Sequence, residues 1–147
     1  MDYDSLLNTT STLGCLLLQS GAETYRVEDS LLRLCQAYGV ERAEIFAIPS
    51  LLIVSVRDPE GHSHTRIRRL YRGGTNLGRV DELNALCRRV CREAPEFSWV
   101  DRELAAYEGE KGYSPFLQFL GYSFVAAFFT PLFGGGLGDA VCALAAG

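Results

Sequence analysis

From Tyr113 to Gly147 the chain has no lysine, arginine, glutamate or histidine, and Asp139 is its only charged side chain there. A stretch this poor in charge lacks the polar face that a surface helix of a soluble protein shows. Positive charge is also missing at the N-terminus, which opens Met1-Asp2-Tyr3-Asp4. A secretory leader begins with a positive segment, so none is expected here. The five cysteines, Cys15, Cys35, Cys87, Cys91 and Cys142, are odd in number and contain no tight C-x2-C pair. They match no disulfide framework, and the soluble part is expected to be cytoplasmic with reduced thiols. There is no basic stripe, and the net charge is −4, of which Asp139 carries one negative. A nucleic-acid surface is therefore excluded. Internal repeats and low-complexity tracts are absent as well.

What is present before Tyr113 reads as a water-soluble domain with a modest core. Asp4 or Ser5 can cap a first helix running to about Gln19, with Leu6, Leu13, Leu16, Leu17 and Leu18 leaning to one side. Ser20-Gly21-Ala22-Glu23 has the S-x-x-E form of a capping box for a second helix. That helix carries Val27, Leu31, Leu34, Cys35 and Tyr38 on one face, and Gly39 is a natural stop. The period then changes. Ala43 to Ile48, Leu51 to Arg57 and His62 to Leu70 read as strands, broken by Pro49-Ser50 and by the turn Asp58-Pro59-Glu60-Gly61. Leu77 to Arg92 returns to helical spacing, with Val80, Leu83, Leu86, Cys87 and Val90 on one face and Pro95 ending it. Trp99 to Tyr107 forms a short amphipathic helix. The expected class is α+β: a small, largely antiparallel sheet packed with helices over residues 1–112, followed by a membrane segment over 113–147.

Within that segment, Phe116 to Phe133 would make a helix about 27 Å long, close to the hydrocarbon thickness of a bilayer. Gln118, Ser123 and Thr130 favour protein neighbours over lipid. Gly134-Gly135-Gly136 turns the chain, and Leu137 onward begins a second apolar element too short to span, so a truncated second span is expected. Arg102 and Lys111 precede the first span and no positive charge follows it, which places the soluble domain on the cytoplasmic side of a cell or inner membrane.

Several constellations carry chemistry in principle. Glu23, Thr24, Arg26, Glu28 and Asp29 crowd the start of the second helix, either as capping and a solvated face or as a polar ligand site with Arg26 available for a carboxylate. His62, His64, Cys87 and Cys91 could mimic a zinc set, but the spacing is ordinary packing, and no metal or cofactor is expected. Gly73-Gly74 lacks the lysine and strand context of a phosphate loop. Ser50 with Asp58 and His62 or His64 would give a membrane-tethered hydrolase, without the pattern of a nucleophile elbow. Arg66, Arg68, Arg69 and Arg72 form a basic cluster, read as a solvated strand face or as a surface for an anionic lipid or solute. Asp139 either lines a polar path or caps the second apolar helix after the glycine turn.

The segment Gly21-Ala22-Glu23-Thr24-Tyr25-Arg26-Val27-Glu28-Asp29, followed by Leu31-Leu32-Arg33-Leu34 and closed by Gly39, resembles the opening signature of the threonine/serine exporter family. The resemblance continues through Pro49-Ser50, Thr65-Arg66, the Arg72 to Asn76 loop and the Arg79 to Leu86 helix, and then through Phe128 to Ala140 with Gly134-Gly135 and Asp139. It implies a cytoplasmic N-terminal domain joined to a multi-span membrane domain that exports small polar metabolites, threonine and serine in some members and dicarboxylates such as succinate in others. It also implies either further spans or a small membrane partner subunit. The signature falls on Gly21, Ala22, Glu23, Arg26, Thr65, Arg72, Asn76 and Asp139. On that resemblance Glu23 and Arg26 would hold the ends of a zwitterion or order the domain, and Asp139 would line the path or couple protons. A non-transporting regulatory or assembly subunit is the alternative of a different class.

Overall fold

The computed structural model describes residues 1–71, 73–108 and 114–146. The chain divides into two compact units, Met1–Glu110 and Lys111–Gly147. The first is α+β. Helices α1 (Tyr3–Gln19) and α2 (Thr24–Ala37) lead into strands β1 (Ala43–Ile48), β2 (Leu51–Arg57) and β3 (Ser63–Arg69), and helices α3 (Leu77–Glu93) and α4 (Phe97–Glu108) follow. The sheet is a three-stranded antiparallel meander in the order β1-β2-β3. Strand boundaries fall close to those expected because β-branched runs meet turn residues there. Gly61 N–H donates to the Asp58 carbonyl at 3.1 Å, closing the expected turn, and Gly61 adopts φ +92.

Side chains alternate across the sheet. Leu52, Val54 and Val56 are buried on the helix side, while Phe46 and Ile67 are exposed on the other. Register places Phe46, Ile53 and Ile67 abreast on that open face. Helix α1 packs on α2, α3, α4, β2 and β3, which makes it the centre of the unit. Its burial is therefore not one-sided as the leucine pattern suggests. Thr9, Thr10, Ser11 and Gly14 are buried along with the leucines. Two of these polar positions are satisfied: Thr9 Oγ1 donates to the Asp101 carboxylate at 2.6 Å, and Ser11 Oγ to the Asn8 carbonyl at 3.0 Å. The cap of α1 is Asp2 rather than Asp4 or Ser5, and its Oδ1 accepts the Asp4 and Ser5 amides at 3.1 and 3.3 Å. An aspartate one position outside the first turn reaches two free amides; one inside it cannot.

Helices α2 and α3 bury the expected faces, Val27, Leu31, Leu34 and Cys35 on one and Leu83, Leu86, Cys87 and Val90 on the other. Gly39 ends α2 at φ +82, with Gly39 N–H to Gln36 O at 2.9 Å and Val40 N–H to Cys35 O at 3.0 Å. This paired closure satisfies two carbonyls that the helix end leaves free. Glu28 has a role beyond the helix it sits on. Its Oε1 accepts the Ala47 amide of β1 at 2.8 Å, a donor that points away from β2. Replacing Glu28 with alanine would strand a backbone amide in a buried position (Ala47 is 5% exposed). The expected loss is about 2 kcal/mol of unfolding free energy, read by denaturant titration of the full chain in detergent.

In the second unit, α5 (Pro115–Leu132) starts at the N-cap Ser114, whose Oγ accepts the Leu117 amide at 3.3 Å. It is long and apolar enough to cross a membrane, and among its residues only Ser123 is buried. The core helix of a soluble protein is mostly buried; this one is not. Thr130 Oγ1 returns to the Ala126 carbonyl at 2.8 Å, so that hydroxyl is satisfied within its own helix. A turn with Gly134 at φ +84 leads into the shorter α6 (Leu137–Ala146), which packs on α5.

Candidate functional site

The signature segment begins at a helix end. Ser20 closes α1, and Gly21 follows at φ +87. Gly21 N–H donates to Leu18 O at 3.1 Å and Ala22 N–H to Leu17 O at 3.0 Å, the same paired closure as at Gly39. This corrects the capping-box reading. Ser20 is buried, and its hydroxyl donates backward to the Leu16 carbonyl at 2.7 Å instead of accepting from Glu23. Glu23 is the N-cap of α2 but makes no side-chain cap bond. Its carboxylate pairs with Arg26 Nε at 2.8 Å, one turn ahead. Arg26 Nε is also 3.1 Å from the Tyr25 hydroxyl.

The loop before α3 docks on this turn. Gly74 N–H donates to Gln19 O and Asn76 N–H to Ser20 O, both at 2.9 Å, using carbonyls that the end of α1 leaves free. A Cβ on Gly21 would stand 2.9 Å from the Gly74 carbonyl oxygen and 3.3 Å from Thr75 Cα. Glycine at 21 thus serves both the left-handed turn and the backbone approach of the loop. Asn76 caps α3, its Oδ1 accepting the Arg79 amide at 3.1 Å. A shallow cleft of about 280 Å³ opens beside the turn, lined by Glu23 and Arg26 and floored by Ala22, Val27, Leu77 and Val80.

The structure therefore brings Glu23, Arg26 and the Asn76 loop together at one turn. Thr65 lies elsewhere, on the open face of the sheet, where its Oγ1 is 2.8 Å from Ser55 Oγ. Arg72 falls outside the described residues. Asp139 belongs to the second unit and sits in the first turn of α6, where its Oδ2 accepts the Gly136 amide at 2.8 Å. That is helix-start geometry, and it leaves the other carboxylate oxygen uncommitted to this bond.

The hydrolase arrangement does not form. Ser50 lies in the β1–β2 turn, while Asp58, His62 and His64 gather at the opposite end of β2, roughly 20 Å away along a seven-residue strand. Asp58 Oδ2 meets His64 Nε2 at 3.0 Å and His62 Nδ1 at 3.3 Å, and the His64 ring stacks on Tyr3 at 4.8 Å. The His64 hydrogen bond, reinforced by the His62 amide, holds the Asp58 carboxyl below its ordinary range. A lowered carboxyl stabilises the fold above its unfolded value near pH ~4, and that contribution disappears as pH falls through the lower folded value. Asp58→Asn should therefore unfold less steeply with acid than the parent between pH 5 and 2, measured by urea titration at each pH.

On α3, Cys87 Sγ donates to the Ser30 carbonyl at 3.7 Å. The neighbouring Cys87 thiol lowers Cys91, while burial pushes Cys35 up to about 11. Among the described residues, no group of three or more His, Cys, Asp and Glu is arranged to hold a metal ion. Two members of the basic cluster reach α1 from β3: Arg66 donates to Asn8 Oδ1 at 2.7 Å, and Arg68 lies 3.4 Å from Thr12 Oγ1. Sequence reading missed Glu28 as the partner of β1. The only signal for Glu28 was its place one residue after the buried Val27, on the border of the core face.

The chain holds an α+β unit and, in its second unit, one helix long and apolar enough to cross a membrane. Residues 8–147 match the ThrE family model, described as "Putative threonine/serine exporter", and the chain belongs to that family. It is a transporter family, which implies a membrane setting and a small-molecule substrate. No curated protein and no solved structure matches the chain.

Proposed function

We propose that the chain is the N-terminal portion of an exporter of small polar metabolites, threonine and serine or dicarboxylates such as succinate. In this reading residues 1–112 form a cytoplasmic domain that loads or gates a pathway begun by residues 113–147. Further spans or a small membrane partner complete that pathway. Family membership over residues 8–147 supports the transporter class. The observation that carries the site is the Glu23–Arg26 pair beside its cleft, held at 2.8 Å with both side chains more than half exposed. An exposed pair of this kind is worth about 0–1 kcal/mol, so exchanging partners with a zwitterion costs little. An α-amino acid offers an ammonium for Glu23 and a carboxylate for Arg26. Asp139 would line the path or take part in proton coupling, with Thr65, Arg72 and Asn76 as supporting signature residues.

The test is efflux of labelled threonine, serine and succinate from liposomes holding the full chain, with and without a small membrane partner. Glu23→Gln should abolish threonine efflux while changing unfolding free energy by less than about 0.5 kcal/mol, because no cap bond is lost. Intact efflux in Glu23→Gln would remove the zwitterion site. No efflux under either condition would favour a regulatory or assembly subunit. Asp139→Asn retains an acceptor for the Gly136 amide, so it isolates the role of the charge.

A further inference from the structure

A second cleft, of about 370 Å³, lies in the first unit between α1, the end of β3 and α3. Its polar lining comes from Thr12 and Gln19 of α1, Arg68 and Arg69 at the end of β3, and Arg79 of α3. Among the described residues no acid lines it. Among the described residues three arginines pair with carboxylates, Arg26 with Glu23, Arg33 with Asp29 and Arg89 with Glu93. Arg68, Arg69 and Arg79 form no ion pair with the described residues, and the three share one cleft. Three like charges on one cleft repel one another, and the repulsion grows where water is displaced. Arg79 sharpens the point. It donates one terminal N–H to the Tyr107 carbonyl, but its Nε is buried without an acceptor among the described residues. A buried guanidinium N–H left unmade is costly, and it marks a place where an acceptor fits.

We propose that this cleft binds a phosphate group. Guanidinium forks match phosphate oxygens in pairs, and a dianion neutralises more of the threefold positive charge than a single carboxylate would. Thr12 and Gln19 supply neutral donors beside the three cations. The ligand is either a free phosphate compound or the headgroup of an anionic lipid, which share this chemistry. The cleft is separate from the Glu23–Arg26 site and has its own residues, so its failure would leave the exporter reading untouched.

Equilibrium dialysis of the full chain in neutral detergent against labelled inorganic phosphate, at fixed ionic strength in chloride, tests the proposal. A parallel arm mixes phosphatidic acid into the micelles at equal phosphate concentration. Saturable binding in either arm supports the site, and the arm that binds more tightly identifies the source. Arg68→Gln with Arg69→Gln should weaken binding at least tenfold, and Arg79→Gln should do the same. Arg89→Gln, outside the cleft, should leave binding within twofold. Arg69 is exposed, so the Arg69→Gln single variant keeps the test valid if the others fold poorly. No saturable binding in either arm, or equal binding by parent and the double variant, overturns the proposal.

Discussion

Gly21→Val is expected to lower unfolding free energy by about 3 kcal/mol, summing the left-handed penalty of an L residue with a backbone clash. Gly21 holds φ +87, and the nearest obstacle to a Cβ is the Gly74 carbonyl oxygen at 2.9 Å. A carbonyl in the main chain cannot swing aside as a side-chain tip can. To make room, the 73–76 segment must lift from α1 and give up the Gly74–Gln19 and Asn76–Ser20 hydrogen bonds. Asn76 then no longer sets the start of α3 in place. Gly21→Asn separates the two causes. Asparagine tolerates a positive φ, so a loss almost as large as valine's would assign most of the cost to the loop contact. A loss below about 0.5 kcal/mol would show that the loop adapts freely. Denaturant titration of the full chain reads both variants.

Gly14→Val should cost about 3 kcal/mol as well, by overpacking rather than by backbone strain. Gly14 lies in the middle of α1, where a Cβ would meet Leu52 Cδ2 at 2.6 Å and Leu31 Cδ1 at 2.7 Å. Both leucines are fully buried, so their tips have little room to retreat. Alanine at this position gains up to about 1 kcal/mol of helix propensity, which offsets part of its smaller clash. Gly14→Ala is therefore expected within about 1 kcal/mol of the parent, well short of the valine cost. A loss below about 1 kcal/mol for the valine variant as well would refute tight packing of α1 against α2 and β2 at this point.

The elements legible in the sequence are those whose signal is local. The faces of α2 and α3 follow from the spacing of Val27, Leu31 and Leu34 and of Leu83, Leu86 and Val90. Gly39 and the Asp58–Gly61 turn follow from backbone demands that few residues meet. The Ser20–Glu23 reading failed because S-x-x-E describes a helix start without asking whether another helix is ending there. Gly21, one position later, was the deciding residue: a left-handed glycine closes the helix behind it. The polar side of α1 was illegible for another reason. Thr9 is satisfied by Asp101 from the far end of the unit, and no local pattern announces such a partner. At the site, Glu23 and Arg26 were legible as polar candidates at the start of α2, but their mutual pairing was not, because the S-x-x-E reading gives Glu23 a cap bond that it does not make. The docking of the 73–76 loop on Gly21 was not, because backbone-to-backbone contact leaves only glycine as its trace. The place of Arg79 in a cleft beside Arg68 and Arg69 was not legible either, because it depends on how α3 packs against α1 and β3.

Glu28 bears on how copies of this chain meet. A strand at the rim of a sheet offers unpaired amides to any passing strand, and such offers lead to aggregation or to ribbons of subunits. On β1 the Ala47 amide is already taken by Glu28, and α2 lies along that rim. A second chain cannot extend the sheet there without first evicting a carboxylate. Self-association through β1 strand addition is thereby discouraged, and the signature helix acts as a guard on the sheet's edge as well as a wall of the cleft.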